Sequence, residues 1–269
     1  MALRIQNNIE ALGAHRNLTV TNSHLTKAMS RLSSGFRINS AADDAAGLAI
    51  SERMRGQISG ISQAMRNAQD GISLMQTTEA AMTEVHSMLQ RVRELAVQYM
   101  NGSVSPSDRT AIQSEVTQLQ LEIERIGQQT SFNGIPVLNA AGAVTFQVGA
   151  NDSEAISVPT ISLSGALGAN WATLSLTNAS DIAEIDAAIN AVSQQRATFG
   201  SVQNRFEHLL NSLGTYHENL VSAESRIRDL DMAEGMVDMT RYQVLQKAGT
   251  AMLAQANQSN QTVLQLLQS

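Results

Sequence analysis

The feature that most constrains this chain is an apolar rhythm that does not stop. Ile50, Met54, Ile58, Ile61, Met65, Ala68, Ile72 and Met75 step 4-4-3-4-3-4-3, and Met82, Val85, Leu89, Val92 and Ala96 then step 3-4-3-4. The spacing predicts one helix from Asp44 to Met100, on the order of 85 Å long at about 1.5 Å per residue. A heptad held this far predicts coiled-coil packing against a partner helix. A second run supplies that partner. Ile185, Ile189, Val192, Phe199, Val202, Phe206, Leu209, Leu213, Leu220, Ile227 and Leu230 keep the same 3/4 rhythm.

The two arms are flanked by shorter helical patterns. Toward the N-terminus, Ile5, Ile9 and Leu12 step 4-3, and Leu25, Met29, Leu32 and Phe36 step 4-3-4, broken near Ser33-Ser34-Gly35. Asp43 and Asp44 then suit a helix N-terminus, where free N–H groups and the macrodipole favour carboxylates. At the other end, Arg228–Gly235 marks a second break. Beyond it, Leu245, Met252, Ala256, Val263 and Leu267 are spaced 7-4-7-4 on one side of a terminal helix. After Lys247 no charged residue follows, and Gln and Asn fill seven positions.

The middle has a different texture. Asn101-Gly102 ends the first arm, and Ser105-Pro106-Ser107-Asp108 opens a helix whose stripe is Ile112, Val116, Leu119, Ile123 and Ile126. From Gly127 to Ser180, short apolar runs such as Val144–Val148 and Ile156–Val158 alternate with turn residues and predict strands in hairpins. The fold class is therefore mainly α, with long antiparallel coiled-coil arms, a small β-hairpin region in the middle and paired terminal helices. The expected divisions are residues 1–43 (N-terminal end helix and linker), 44–180 with 181–230 (arms and hairpins of one domain) and 231–269 (linker and C-terminal end helix).

Composition narrows the function classes. Aromatic residues are 3% of the chain, so Ala, Leu, Ile, Val and Met must fill the core, as in bundles and coiled coils. Cysteine is absent, which removes disulfides, thiol nucleophiles and thiolate metal sites. No helical pair of histidines stands among His15, His24, His86, His208 and His217, and no HExxH, GxGxxG, GxSxG or phosphate-loop motif occurs. We therefore expect no catalytic, cofactor or metal site, and no enzyme. The net charge of −6 falls in the middle, because residues 1–37 and 236–269 are both mildly basic. No dense basic patch marks a nucleic-acid or membrane partner. The N-terminus lacks an apolar signal core, and no run is long enough to span a bilayer.

Several stretches together resemble bacterial flagellin. They are Leu32–Ser51 (LSSGFRINSAADDAAGLAIS), Gln69–Leu74, Gln90–Gln98 (QRVRELAVQ), Phe132-Asn133-Gly134 and Phe146–Asn151. Gln203–Phe206, Ala223–Ala233 (AESRIRDLDMA) and Met252–Gln258 continue the likeness. Many flagellins carry large outer domains in the middle, whereas this chain has only some fifty residues there.

The resemblance implies an extracellular structural subunit that polymerises into the flagellar filament for motility. It implies export through the flagellar type III apparatus without a cleaved signal peptide. Both chain ends would pair as the innermost helices of the filament tube and be disordered in the free monomer. The stripes carrying polymerisation would then be Ile5, Ile9, Leu12, Leu25, Met29 and Leu32, with Leu245, Met252, Ala256, Val263 and Leu267 opposite. Implied partners are other copies of the chain, an export chaperone on the C-terminal segment, the filament cap and hook-associated proteins. A mammalian Toll-like receptor would read Arg91, Leu95 and Glu115. The alternative is a flagellin-like adaptor at the hook–filament junction.

Overall fold

The structure, a computed structural model, describes residues 8–168, 171, 175, 176 and 181–268, and side chains as far as Gln258. Among them are six helices and two small antiparallel sheets of two strands each. In chain order they are α1 (Ile9–Ser34), α2 (Ala45–Tyr99), α3 (Pro106–Gln129), β1 (Ser131–Phe132), β2 (Ile135–Pro136), β3 (Gly142–Gln147), β4 (Ala155–Thr160), α4 (Leu163–Leu167), α5 (Asp181–Arg228) and α6 (Met232–Gln268). The chain forms two compact units. One is Gln57–Glu218; the other combines Met1–Gly56 with Asn219–Ser269.

The unit Gln57–Glu218 holds the hydrophobic core. Ile61, Ala64, Ala68, Gly71, Met75, Thr78, Met82, Val85, Leu89, Val92 and Ala96 form the buried stripe of α2, in strict 3/4 alternation. From α5 come Ile185, Ala188, Val192, Phe199, Phe206 and Leu213, and from α3 Ile112, Val116 and Ile123. The first part of the expected α2 stripe is displaced. Ala64 and Gly71 are buried, whereas Met65 and Ile72 are only half-buried and Ile50 is exposed. Gly71 explains the offset: a Cβ there would stand 2.8 Å from Phe206 Cζ, so a bulky buried α5 side chain occupies the space that the α2 glycine leaves.

The hairpins close one side of this core. Strands β3 and β4 pair in register from Gly142↔Thr160 to Gln147↔Ala155. Phe146 meets Phe206 edge-on at 5.9 Å, and the Asn67 amide donates to the Gln147 carbonyl at 2.8 Å. Pro159 is tolerated because β4 has a single partner strand. The tight β1–β2 turn places Asn133 and Gly134 at positive φ, as a two-residue Asn-Gly hairpin turn requires. Helix α3 starts as expected, with Ser105 accepting from the Asp108 N–H at 3.2 Å and Pro106 in the first turn. Helix α4 is not anticipated by the periodicity, since five residues are too few to show one. The Ser162 hydroxyl caps it by accepting from the Gly165 N–H.

In the other unit, both linkers are held by specific contacts, and the second is shorter than the expected break Arg228–Gly235. Helix α1 ends on Gly35 in the left-handed conformation, its N–H returning to the Arg31 carbonyl. Phe36 and Asp229 then form a β-bridge: Arg37 N–H donates to Arg228 O at 2.7 Å, and Leu230 N–H to Gly35 O at 2.9 Å. The Arg228 guanidinium lies 4.7 Å over the Phe36 ring and donates to Glu52 at 2.6 Å. Asp44 caps α2 through the Gly47 N–H, while Asp43 instead closes the preceding turn on Ser40 and faces Arg31. The second break shrinks to residues 229–231, because Asp231 caps α6 through the Ala233 N–H at 2.8 Å.

Two outcomes are expected. Phe206→Ala should lower the stability of the unit Gln57–Glu218 by about 3–5 kcal/mol in urea unfolding, because the ring is fully buried. The second concerns pH. The Arg228 hydrogen bond first, then Arg55, holds the Glu52 carboxyl below its ordinary range against desolvation. A depressed folded value means this stabilisation is complete above the unfolded value and is lost as pH falls through the folded one. Glu52→Gln should therefore flatten the loss of stability between about pH 5 and pH 3. Equal slopes for both proteins would refute the coupling.

Candidate functional site

Without a catalytic constellation in the sequence, the candidate site is a surface, formed by α1 and α6. On α1, besides Arg31, the half-buried residues are Ala11, Ala14, Leu18, Thr21, Leu25, Ala28 and Leu32, an unbroken 3-4 alternation. On α6, besides Asp238, they are Met239, Tyr242, Gln246, Gly249, Leu253 and Ala256, after a buried Gly235. These two seams face each other in antiparallel order. Asn8 donates to the Ala256 carbonyl at 2.9 Å, Gln246 donates to Asn22 at 2.8 Å, and the His24 and Tyr242 rings stack at 5.3 Å. A Cβ on Gly249 would meet Leu18 at 3.2 Å, and one on Gly235 would meet Leu32 at 3.0 Å. The helices approach closely where glycines of α6 meet leucines of α1.

Close approach leaves little to bury. No residue of α1 is fully buried. Leu18, Leu25, Leu32, Met239 and Leu253 are in the seam, but Ile9, Leu12 (62% exposed), Val20 and Met29 on α1 and Met232, Met236, Val237, Val244 (61%), Leu245 and Met252 (66%) on α6 lie outside it. Met236, Val237, Val244 and Leu245 form one nearly continuous apolar patch, interrupted by Thr240 and Arg241. Val237 and Val244 are one heptad apart and lie opposite the seam. Helices draw most of their stability from packing an amphipathic face, and fixing each residue's backbone costs about 1–2 kcal/mol. A seam that leaves every α1 residue at most half-buried offsets that weakly, so the exposed faces are where further burial is available.

The residues expected to form polymerisation stripes therefore separate. Leu25, Leu32 and Ala256 belong to the seam within the chain, whereas Ile9, Leu12, Met29, Leu245 and Met252 are exposed. Ile5, Val263 and Leu267 lie outside the residues whose side chains are described. The 4-3 and 7-4 spacings follow large apolar residues, and those point mainly away from the partner helix. The expected stripes caught only Leu25, Leu32 and Ala256 of the seam, although Ala14, Thr21 and Ala28 on α1 and Gly235, Tyr242 and Gly249 on α6 recur at heptad spacing and could have disclosed the rest.

The three positions assigned to receptor recognition occupy two environments. Arg91 Nη2 lies 2.9 Å from Glu115 Oε1 and Arg91 Nη1 3.3 Å from Glu94, so α2 and α3 share a surface ion cluster. The Glu115 hydrogen bond, then that of Glu94, raises the Arg91 pKa. Leu95, by contrast, is 2% exposed and lies in the core with Val92 and Ala96. A partner can touch the ion pair directly, and can sense Leu95 only through the helix it supports. Among the described residues, no group of three or more His, Cys, Asp or Glu could hold a metal, and no helix is long and apolar enough to cross a membrane.

Comparison with known proteins agrees with this architecture. The bacterial flagellin N-terminal helical region matches residues 5–143, and the bacterial flagellin C-terminal helical region matches residues 182–267. A flagellin from Halalkalibacterium halodurans is 50% identical over 269 residues, covering 98% of this chain and 99% of that one. A flagellin from Bacillus subtilis is 46% identical over 303 residues, with 98% and 100% covered. The crystal structure of Bacillus cereus flagellin, 29% identical, aligns with a TM-score of 0.50 over 55% of this chain and 88% of that one. A putative flagellar hook-associated protein from Vibrio parahaemolyticus aligns with a TM-score of 0.58 over 70% of this chain and all of that one. At 14% identity that likeness is one of fold alone. With two matched regions that span most of its length and relatives this similar end to end, the chain belongs to the bacterial flagellin family.

Proposed function

We propose that this chain is the structural subunit of a bacterial flagellar filament, and that the outer faces of α1 and α6 are what its copies use to pack together. The observation that carries this reading is the apolar surface left open on the end helices: they pack along a half-buried seam in which leucines meet glycines, while Ile9, Leu12, Val237, Val244, Leu245 and Met252 stay exposed. Every subunit then offers the same patch to neighbours, and contacts that do not close into a ring give an open helical polymer. The uncharged stretch after Lys247 allows copies to stack without repulsion. A structural subunit needs no catalytic group. A hook–filament junction adaptor is not favoured, since the full-length relatives at 42–50% identity are flagellins or filament core proteins.

In this reading, residues 1–43 and 231–269 supply the inner filament core, and the arms 44–180 and 181–230 with their hairpins surround it. The chain leaves the cell through the flagellar export apparatus. A chaperone covers the C-terminal segment beforehand, and the filament cap and hook-associated proteins meet it afterwards. Deleting residues 248–269 should leave a folded, soluble monomer with unchanged unfolding of the unit Gln57–Glu218, yet abolish elongation from filament seeds. Val244→Ser should also impair elongation while changing monomer stability by less than about 0.5 kcal/mol, because Val244 is exposed. Normal filament growth from either protein would end this reading. Binding of the chaperone to a chain lacking residues 230–269 would contradict its assignment.

A Toll-like receptor is a further proposed partner, through Arg91, Glu115 and the helix that Leu95 supports. Arg91→Ala removes the ion-pairing group from an exposed position, so it should weaken receptor activation by the monomer without affecting its fold. Undiminished activation by Arg91→Ala would refute the assignment. Leu95→Ala is the less informative variant, because it also opens a cavity in the core.

A further inference from the structure

The chain has 12 methionines, and the structure sorts their thioethers by access to water. Met75 and Met82 are sealed in the core of the unit Gln57–Glu218. Met29 on α1 and Met232, Met236 and Met252 on α6 are between 48% and 66% exposed. Met236 belongs to the apolar patch with Val237, Val244 and Leu245. A flexible, polarizable thioether adapts well to a surface that must pack against a neighbour, and its sulfur is also open to oxidation. With no cysteine in the chain, no thiol competes for an oxidant.

We propose that Met29, Met232, Met236 and Met252 are a set of oxidation sites through which a peroxide blocks assembly of the free chain. This rests on the reading that the outer faces of α1 and α6 are subunit contacts. The sulfur lone pair attacks one peroxide oxygen, the S–O bond forms as the O–O bond breaks, and proton transfer releases water. Sulfur is oxidised by two electrons and the peroxide is reduced by two. The product is a polar, chiral sulfoxide where the partner surface requires an apolar group, and burying its oxygen without a donor opposes packing. The monomer fold is untouched, because the core thioethers are sealed. Once copies pack over these faces the sites close, so the sensitivity belongs to the unassembled chain.

The test uses the full-length free chain, hydrogen peroxide, and elongation from untreated filament seeds. Peptide mass spectrometry should show sulfoxide at the four positions before it appears at Met75 or Met82. Urea unfolding should be unchanged, and elongation should fall about tenfold or more, since each tenfold corresponds to about 1.4 kcal/mol of lost contact energy. Methionine sulfoxide reductases of both stereospecificities should restore it. A chain with all four residues changed to Leu should elongate equally with and without peroxide. Met100, 39% exposed outside the helix pair, is an internal control: Met100→Leu should remain peroxide-sensitive. Unimpaired elongation of a chain carrying all four sulfoxides would overturn the proposal. So would a loss that the reductases do not reverse. Failure of the untreated chain to elongate would instead overturn the self-assembly reading beneath it.

Discussion

Gly249 lies against Leu18, and Gly235 against Leu32, so the two end helices are held together where a leucine of one meets a glycine of the other. That contact sets what the rest of the end-helix unit can do. Close packing through small residues fixes the register of α1 on α6, as Asn8–Ala256 and Asn22–Gln246 show. The bulk of the apolar surface is kept out of the intrachain contact. A seam of Leu facing Leu would bury more and make the pair self-sufficient. Its outer faces would then have less to gain from a neighbour.

The unit Gln57–Glu218 follows the opposite rule. Its large residues point inward: Phe206 fills the space over Gly71, and Met82, Val85, Leu89 and Val92 line a core in which little is exposed. It can therefore be stable as a single copy. The same 3/4 rhythm serves both units, and what differs is which side chains occupy it. Burial saturates in one unit and stays unfinished in the other. A subunit that must travel alone and then assemble needs both conditions in one chain.

Most of the architecture was legible in the sequence because long helices repeat their signal. The arms, both breaks, the Ser105–Pro106 start and the hairpins around Val144 and Ile156 all fall where periodicity and turn chemistry place them. The face of each end helix was not legible. Large apolar residues dominate any periodic reading, yet the seam mixes Ala, Gly and Thr with Leu18, Leu25, Leu32 and Leu253, so Ile9, Leu12 and Met252 stand out for a surface they do not share within the chain. Leu95 shows the converse: it stands outside the stripe of Val92 and Ala96, yet the fold buries it, and only the resemblance suggested a recognition role. Helix α4 and the Phe36–Asp229 bridge depend on contacts between distant segments, which no local pattern encodes.

That bridge addresses an entropic problem. The α1 and α6 seams are separated by some 200 residues of chain, and closing so long a loop is costly for a weak helix pair. Helices α2 and α5 are already joined through their own core, and each continues covalently into the end-helix unit. The loop that α1 and α6 must close is thereby reduced to the two linkers. Arg37 on Arg228, Leu230 on Gly35 and Glu52 on the Arg228 guanidinium then fix those linkers. A seam too weak to gather the chain ends can still align them once the linkers are held. Its weakness is tolerable for the fold because alignment is all that the intrachain contact has to supply.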